Sequence, residues 1–398
     1  MKSEWNTSAI ANICKVVTDG SHTSPKSVSH GKYMVSVKDF TPYGFDFNGC
    51  RQISFADYEK LKSSGCVPQK GDILIGKDGA RYFEDIIIYN QDEAPALLSS
   101  IAILRCDEEK VIPEYLYYLL KTPSFKKNVK DNYGSGSAIP RIILKDFKRM
   151  KVEYPSIEKQ RQIVSILHDL DAKIFNNQKV NDNLYDLVNT LYTKLFKDTD
   201  CEMTTVEDYI DCIYSGGTPA TSNMAYWNGN LNWLSSGETR NRFVISTEKT
   251  ITQLGADNSS TKSAQKYDIV IASAGQGFTR GQTSMLLLNT YINQSVIVLH
   301  AKKIVLPYLF WNLTNRYDDL RAISDSSSIR GSLTTKMLSK LKIPKVEDSL
   351  ILKFSEFAWS IIPQIENNLI ENKRLTDLRD SLLPKLMSGE IDVSDIQL

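Results

Sequence analysis

The chain has 398 residues, 41% hydrophobic and 24% charged, which is too long for one ordinary domain and too apolar for a disordered one. Its 48 Lys and Arg nearly cancel 47 Asp and Glu, for a formal net charge of +1, so bulk charge points to no polyanionic partner and a nucleic-acid surface must come from local clustering. No run approaches the ~20 apolar residues of a membrane helix, and MKSEWNTSAIANICKVV lacks a signal-peptide core, so a cytoplasmic protein with no membrane partner is expected.

Residues 1–155 read as a first globular domain. Its opening loop, TDGSHTSPKSVSHGKYMVSVKD (18–39), leads into a strand and offers Ser21, His22, Thr23 and Lys26 as contact residues. His22 has no obvious catalytic partner and reads as a turn or contact-surface histidine. A strand, QKGDILI (69–75), runs into the glycine loop GKDGARYFED (76–85). Lys77, Arg81 and Tyr82 sit in that loop, where Lys and Arg suit guanine edges and glycine permits close backbone approach. The stretch RIILKDFKRMK carries Arg141, Lys145, Lys148 and Arg149, which suit phosphate contacts or equally a solvated helix face.

Residues 156–198 read as one long helix with Ser156 as N-cap and Glu158 in the first turn. Ile163, Leu167, Leu170, Ile174, Asn177, Asn181, Leu184, Val188, Leu191 and Leu195 form a heptad seam. A second domain follows over 199–346. It opens on GGTPATSNMAYWNGNLNWLSSGE (216–238), read as a long aromatic loop, too aromatic for a linker and too polar for a core strand. Thr218, Arg240 and Arg242 are its candidate contacts. The strand QKYDIVI (265–271) leads to ASAGQGFTRGQ, with Gln276, Arg280 and Gln282; glutamine suits adenine edges. Residues 347–398 read as a second helix and a tail. Pro363 is expected to break or kink it, leaving a rod over 363–387 of roughly 37 Å, close to one turn of B-DNA at ~34–36 Å.

The chain repeats itself. IFNNQKVNDNLYDLVNTLYTKL (174–195) and IENNLIENKRLTDLRDSLLPKL (365–386) share ten of 22 positions at a constant offset of 191. The QKxDI strands, IPEYLYYLL (112–120) against VLPYLFWNL (305–313), and a Pro-x-x-Glu at Pro155 and Pro344 add weaker echoes. A period near 190 is a duplicated domain plus helix, not a solenoid. The helices kept their sequence and the domains diverged, which implies shared packing and two different targets. Two asparagines fall mid-seam in each helix. In an antiparallel pair Asn177 faces Asn372 and Asn181 faces Asn368, fixing register because an amide in a seam requires an amide partner. The fold expected is therefore α+β: two mixed α/β domains, each followed by a long helix, the helices forming an antiparallel coiled coil about a pseudo-twofold. An ordinary amphipathic helix packed on its own domain is the alternative for each.

No phosphate loop, HExxH or GxSxG elbow occurs. Cys14, Cys50, Cys66, Cys106, Cys201 and Cys212 form no CxxC pair and do not cluster with the four histidines, so reduced thiols and no metal or cofactor are expected.

The pattern resembles the specificity subunit of Type I restriction–modification systems. The resemblance rests on GGTP…YWNGNLNWLSSGE, TDGSHTSP, QKGDILIGKDGA, GSGSAIPRI before VEYPSIEKQRQIV, and LRDSLLPKLMSGEI, and it covers nearly the whole chain. It implies two target-recognition domains that read the halves of a bipartite site in double-stranded DNA, spaced by the helices. It also implies a non-catalytic subunit that docks two adenine-methyltransferase subunits, joined by restriction/translocase subunits. The chain departs from the pattern where VEDSLILKF replaces an EKQ-type helix start and where the first opening loop lacks a Tyr-Trp pair. Other readings of the residues alone are a two-domain hydrolase or transferase, a coiled-coil interaction scaffold, and a free-standing DNA-binding protein.

Overall fold

The computed structural model describes residues 5–134, 140–196, 202–275, 277–326 and 331–393. Two compact units emerge: residues 1–172 with 375–398, and residues 173–374.

In the first unit, strands β1 (Cys14–Asp19), β2 (Ile73–Gly76), β3 (Ile86–Ile88) and β4 (Ile101–Cys106) form a sheet in the order β1-β4-β2-β3. Every pairing in it is antiparallel. These strands are nearly continuous apolar runs because both faces are covered. Ile73, Ile75 and Leu104 face one core with helix α1 (Pro113–Lys121), whereas Leu74, Ile101 and Ile103 face another. A second four-stranded sheet contains Lys32–Val35, with Ala96–Leu97 parallel beside it. Helix α2, Ile157–Phe196, leaves this unit at Ala172.

The second unit repeats the plan. Strands β5 (Cys212–Ser215), β6 (Phe243–Val244), β7 (Ile269–Ala272), β8 (Thr283–Leu286) and β9 (Val296–His300) lie in the order β5-β9-β7-β8-β6. Apart from the parallel edge strand β6, the order matches the first sheet. Helices α3 (Leu306–Thr314) and α4 (Tyr317–Asp325) follow, and α5 spans Asp348–Ser388.

The QKxD motif acquires a structural reason. Asp72 is buried, accepts from the Gln69 N–H at 2.7 Å, and receives both nitrogens of Arg105 on β4 at 2.8 Å. Asp268 repeats the turn with the Gln265 N–H at 2.7 Å, but its strand partner on β9 is His300, Nδ1 to Oδ1 at 2.5 Å. Burial pushes the Asp268 carboxyl above the ordinary range, and the hydrogen bonds to His300 and Gln265 oppose that shift. The residue before each acid is left-handed: Gly71 at φ 88° and Tyr267 at φ 77°. Tyrosine adopts that region at a steric cost, and here its ring packs edge-on against Trp359 of α5, centroids 4.9 Å apart.

The glycines that open each half also have one purpose. A Cβ on Gly20 would lie 2.3 Å from the Leu97 carbonyl oxygen, and one on Gly216 would lie 2.1 Å from that of Ile292. Both glycines let the opening segment lie flush on the second sheet of their unit.

Two expectations are corrected. The stretch 216–238 is no long loop, because Trp227–Leu234 is an eight-residue strand. Trp227 and Trp233 pack edge-to-face at 5.1 Å, and Trp233 covers Ile251 while Asn228 and Asn230 point outward, so the polar residues belong to the open face. Helix α5 also does not end at Pro363 but continues from Asp348 to Ser388. Proline removes one backbone donor, and burial of Ala358, Ile362 and Ile365 around it holds the helix together.

Within the second unit the helices run antiparallel. Asn177 Nδ2 donates to Asn372 Oδ1 at 2.9 Å, and Asn368 Nδ2 donates to Asn181 Oδ1 at 2.8 Å. Two of these amides also reach across to main chain, Asn372 Nδ2 to the Ile174 oxygen at 3.2 Å and Asn181 Nδ2 to that of Ile365 at 3.3 Å, while Asn177 Nδ2 donates to Glu371 at 2.7 Å. In the first unit Asp171 accepts from Arg379 at 2.6 Å and from Tyr118 at 2.7 Å. Toward Phe196 the seam gives way to domain packing. Tyr185, Val188, Tyr192 and Phe196 are buried with Trp311 and Phe354, whereas Leu184, Leu191 and Leu195 are only partly covered.

Gln160 explains the EKQ element. Fully buried, it accepts from the Ile112 N–H at 3.0 Å and donates to the Lys110 and Pro155 oxygens at 2.9 Å, tying the start of α2 to the start of α1. In the second unit Ser355 and Trp359 do this work, donating to the Ile304 and Lys303 oxygens.

Candidate nucleic-acid interface

In each unit the sequence-predicted loops meet at one end of the main sheet. In the first, β1 ends at Asp19 beside the loop after β2. The Lys77 N–H donates to the Ser100 oxygen at 2.8 Å, and the Lys77 oxygen accepts from the Ile142 N–H at 3.0 Å. In the second, the Ser273 N–H donates to the Ser295 oxygen and the Ser273 oxygen accepts from the Leu333 N–H, each at 2.9 Å. The two loop clusters thus share a backbone plan and differ in side chains.

The candidate residues fall into distinct environments. Ser21 is buried and its hydroxyl bonds within its own turn, to the Thr23 oxygen at 2.8 Å. His22 is exposed, with Nε2 3.3 Å from Asp19. Thr23 and Lys26 are exposed. Lys77 is buried, with its ammonium 3.4 Å from Asp19 and 3.5 Å from Asp78, so it neutralises the loop from inside and is committed within the unit. Arg81 is exposed and pairs with Asp85 at 2.8 Å, and Tyr82 is half-buried. Arg141, Lys145, Lys148 and Arg149 are exposed, Arg149 pairing with Asp146 at 2.9 Å. Only Leu144–Arg149 of that stretch is helical.

In the second unit Thr218 Oγ1 donates to Gln294 Oε1 at 2.5 Å. Arg240 is exposed and 3.1 Å from Glu248. Arg242 lies over the Tyr185 ring at 4.2 Å and 3.6 Å from Asp182, which places it against α2 rather than at the loop cluster. Both arginines line a groove of about 780 Å³ with Gln282, Asn315 and Tyr317, and its helical wall carries Asp182 and Asp186. Those carboxylates disfavour a phosphate backbone on that wall. Arg280, expected at a base edge, is instead buried: its guanidinium bonds Asp325 and the Gly331 oxygen. An arginine packed between a loop and the following helix braces that loop. Gln276, and residues 135–139 of GSGSAIPRI, lie outside the described residues.

Sequence reasoning passed over Asp19, Arg105, His300 and Gln160. The doubled Gln-Lys-x-Asp was the available signal for Arg105 and His300, since a buried carboxylate needs a partner. No His/Cys/Asp/Glu group able to hold a metal occurs among the described residues, and no described helix is long and apolar enough to cross a membrane. Cys14, Cys50, Cys66, Cys106 and Cys212 are free thiols, while Cys201 lies outside the described residues.

Comparison with known proteins adds the following. The family model "Type I restriction modification DNA specificity domain" matches residues 2–184 and again 200–374. The HindI specificity subunit of a Type I restriction enzyme from Haemophilus influenzae is 23% identical over 81% of this chain and 87% of its own length. The MjaIX specificity subunit from Methanocaldococcus jannaschii is 23% identical over 73% and 71%. A crystal structure of a Type-I restriction-modification S subunit from M. genitalium superimposes with a TM-score of 0.60 at 16% identity, covering 97% of both chains, and so shares the fold.

Proposed function

The chain belongs to the family of Type I restriction–modification DNA specificity subunits, non-catalytic components that recognise DNA sequence, and from that premise we propose that it reads a bipartite, asymmetric site. Each compact unit reads one half, and the long helices set the gap between the halves. Two adenine-methyltransferase subunits dock on the chain, and restriction/translocase subunits join that complex.

The observation that carries this reading is duplication with divergence. Both units keep the same sheet order, the same Gln-Lys-x-Asp turn and the same backbone bonds at the loop cluster. At that cluster Lys77 stands where the second unit has Ser273, and Tyr82 where it has Phe278. A shared frame with altered side chains supports two readers of different sequences. Exposed Arg81, His22 and Lys26, with half-buried Gln282, are the base-edge candidates in this reading. Arg141, Lys145, Lys148 and Arg149 suit phosphates. Lys77 and Arg280 shape their loops, and the paired asparagines hold the helices in register.

Sequencing methylated adenines in cells that carry the chain with its methyltransferase tests the proposal. A two-part motif with a fixed gap is expected, and exchange of residues 202–346 for those of a relative should change one part alone. A single uninterrupted motif, or a change in both parts, overturns it.

A further inference from the structure

We infer that Phe278 is an aromatic wedge with which the second unit opens a base step in its half-site, a function the first unit's loop does not share; this rests on the DNA-reading role proposed above. Phe278 is 83% exposed, more than any other large hydrophobic side chain described. An exposed phenylalanine on a slack loop would mean little, but this loop is braced at Gly277, at Phe278 itself and at Arg280. The Gly277 oxygen accepts from Arg321 Nη1 at 2.7 Å. The Phe278 oxygen accepts from the Tyr317 hydroxyl at 2.9 Å and from Gln282 Nε2 at 3.2 Å. Behind it, Arg280 is locked to Asp325 and to the Gly331 oxygen. Left-handed Gly277 and Gly281, at φ 61° and 86°, make the sharp turns that this presentation requires. The backbone is fixed while the ring is left without cover, which is the arrangement of a group awaiting a partner.

The duplicate loop is the control. Counted from Gly79 and Gly275, Tyr82 is the counterpart in the first unit's shorter loop, and it is half-buried on that unit's main core. Its N–H bonds back to the Gly79 oxygen at 3.0 Å, folding the loop inward. The same frame therefore stows its aromatic in one unit and displays it in the other.

The chemistry selects the occupant. Phenylalanine has no hydrogen-bonding group and cannot read a base edge, but its flat face can enter a base step and replace the stacking it disrupts. The Arg321 guanidinium, fixed at the Gly277 carbonyl, places a cation at the neighbouring residue of the loop, which suits the phosphates flanking an opened step. Flexible pyrimidine–purine steps open most easily, so the wedge favours such a step at a position where no hydrogen bond is made.

The test uses the complex of this chain with its methyltransferase subunits and a duplex carrying the methylation-mapped site. A fluorescent adenine analogue is placed at successive steps of the half-site read by the second unit. With the natural chain, one step should brighten on binding. F278A should abolish that signal and weaken binding about tenfold, F278W should preserve it, and Y82A should leave it unchanged. An abasic position at the bright step should restore F278A binding. If F278A binds, methylates and brightens as the natural complex does, or instead fails to assemble with the methyltransferase while its fold is intact, the wedge is refuted, the latter outcome marking a protein contact. A natural complex without sequence preference refutes the DNA-reading role itself.

Discussion

Asp208 shows how single side chains set the local frame. Its carboxyl accepts from the Thr204 hydroxyl, the Thr205 hydroxyl at 2.9 Å and the Thr205 N–H at 3.0 Å, closing the turn that begins the second unit. These bonds hold its pKa down to about 2, against an ordinary 3.8. The sign follows from linkage: a depressed folded-state pKa gives a contribution complete above pH 3.8 and lost as pH falls through about 2. A carboxyl-carbon NMR titration should place its midpoint near 2, and D208N should flatten the acid limb of the stability profile over that window; an ordinary midpoint removes the argument. Asp72 and Asp268 teach a related lesson. Their positions were plain from the doubled motif, but their partners were not, because Arg105 and His300 come from strands about thirty residues away. Pattern reveals a buried acid; only the fold reveals what meets it.

Among the elements, the helices were the most legible and the loops the least. The 22-residue repeat fixed where helices lie and which asparagines share a seam, since side chains recur at regular intervals along a helix. The break expected at Pro363 does not occur because propensity yields to packing, and three buried neighbours outweigh one lost backbone bond. The tryptophan stretch misled because an open-faced strand carries asparagine as easily as a loop does. Arg280 and Lys77 looked like readers because charge in a glycine loop does not disclose whether it points out or in. The asparagine ladder yields a two-part prediction. Asn372→Leu alone deprives the buried Asn177 of its amide partner and removes the bond across to the Ile174 carbonyl, which should cost about 1–3 kcal/mol in thermal denaturation. Replacing Asn177, Asn181, Asn368 and Asn372 together with Leu should raise the melting temperature yet admit slipped pairings or oligomers, visible by native mass spectrometry. Uniform assembly by the quadruple variant would sink the register role.

For the whole molecule, charge balance bears on partnership. Its 48 Lys and Arg are nearly balanced by 47 Asp and Glu, and Lys77, Arg280 and Arg242 are engaged internally, so the chain offers a duplex little net positive charge. Counterion release scales with the phosphates neutralised, so the chain alone should bind DNA weakly with a shallow salt dependence. Adding methyltransferase should tighten binding and steepen that dependence. Tight, strongly salt-sensitive binding by the isolated chain, measured by fluorescence anisotropy, would identify a self-sufficient binder.

Tyr267 ties its turn to the helix that follows. The duplicated turn is left-handed in both units, and glycine suits it without strain while tyrosine does not. A bulky ring there is tolerable only with Trp359 to lean on. Removing the tryptophan would strand its neighbour. The turn of one half therefore leans on its own helix while its glycine counterpart needs no such prop, and the two halves are not interchangeable parts.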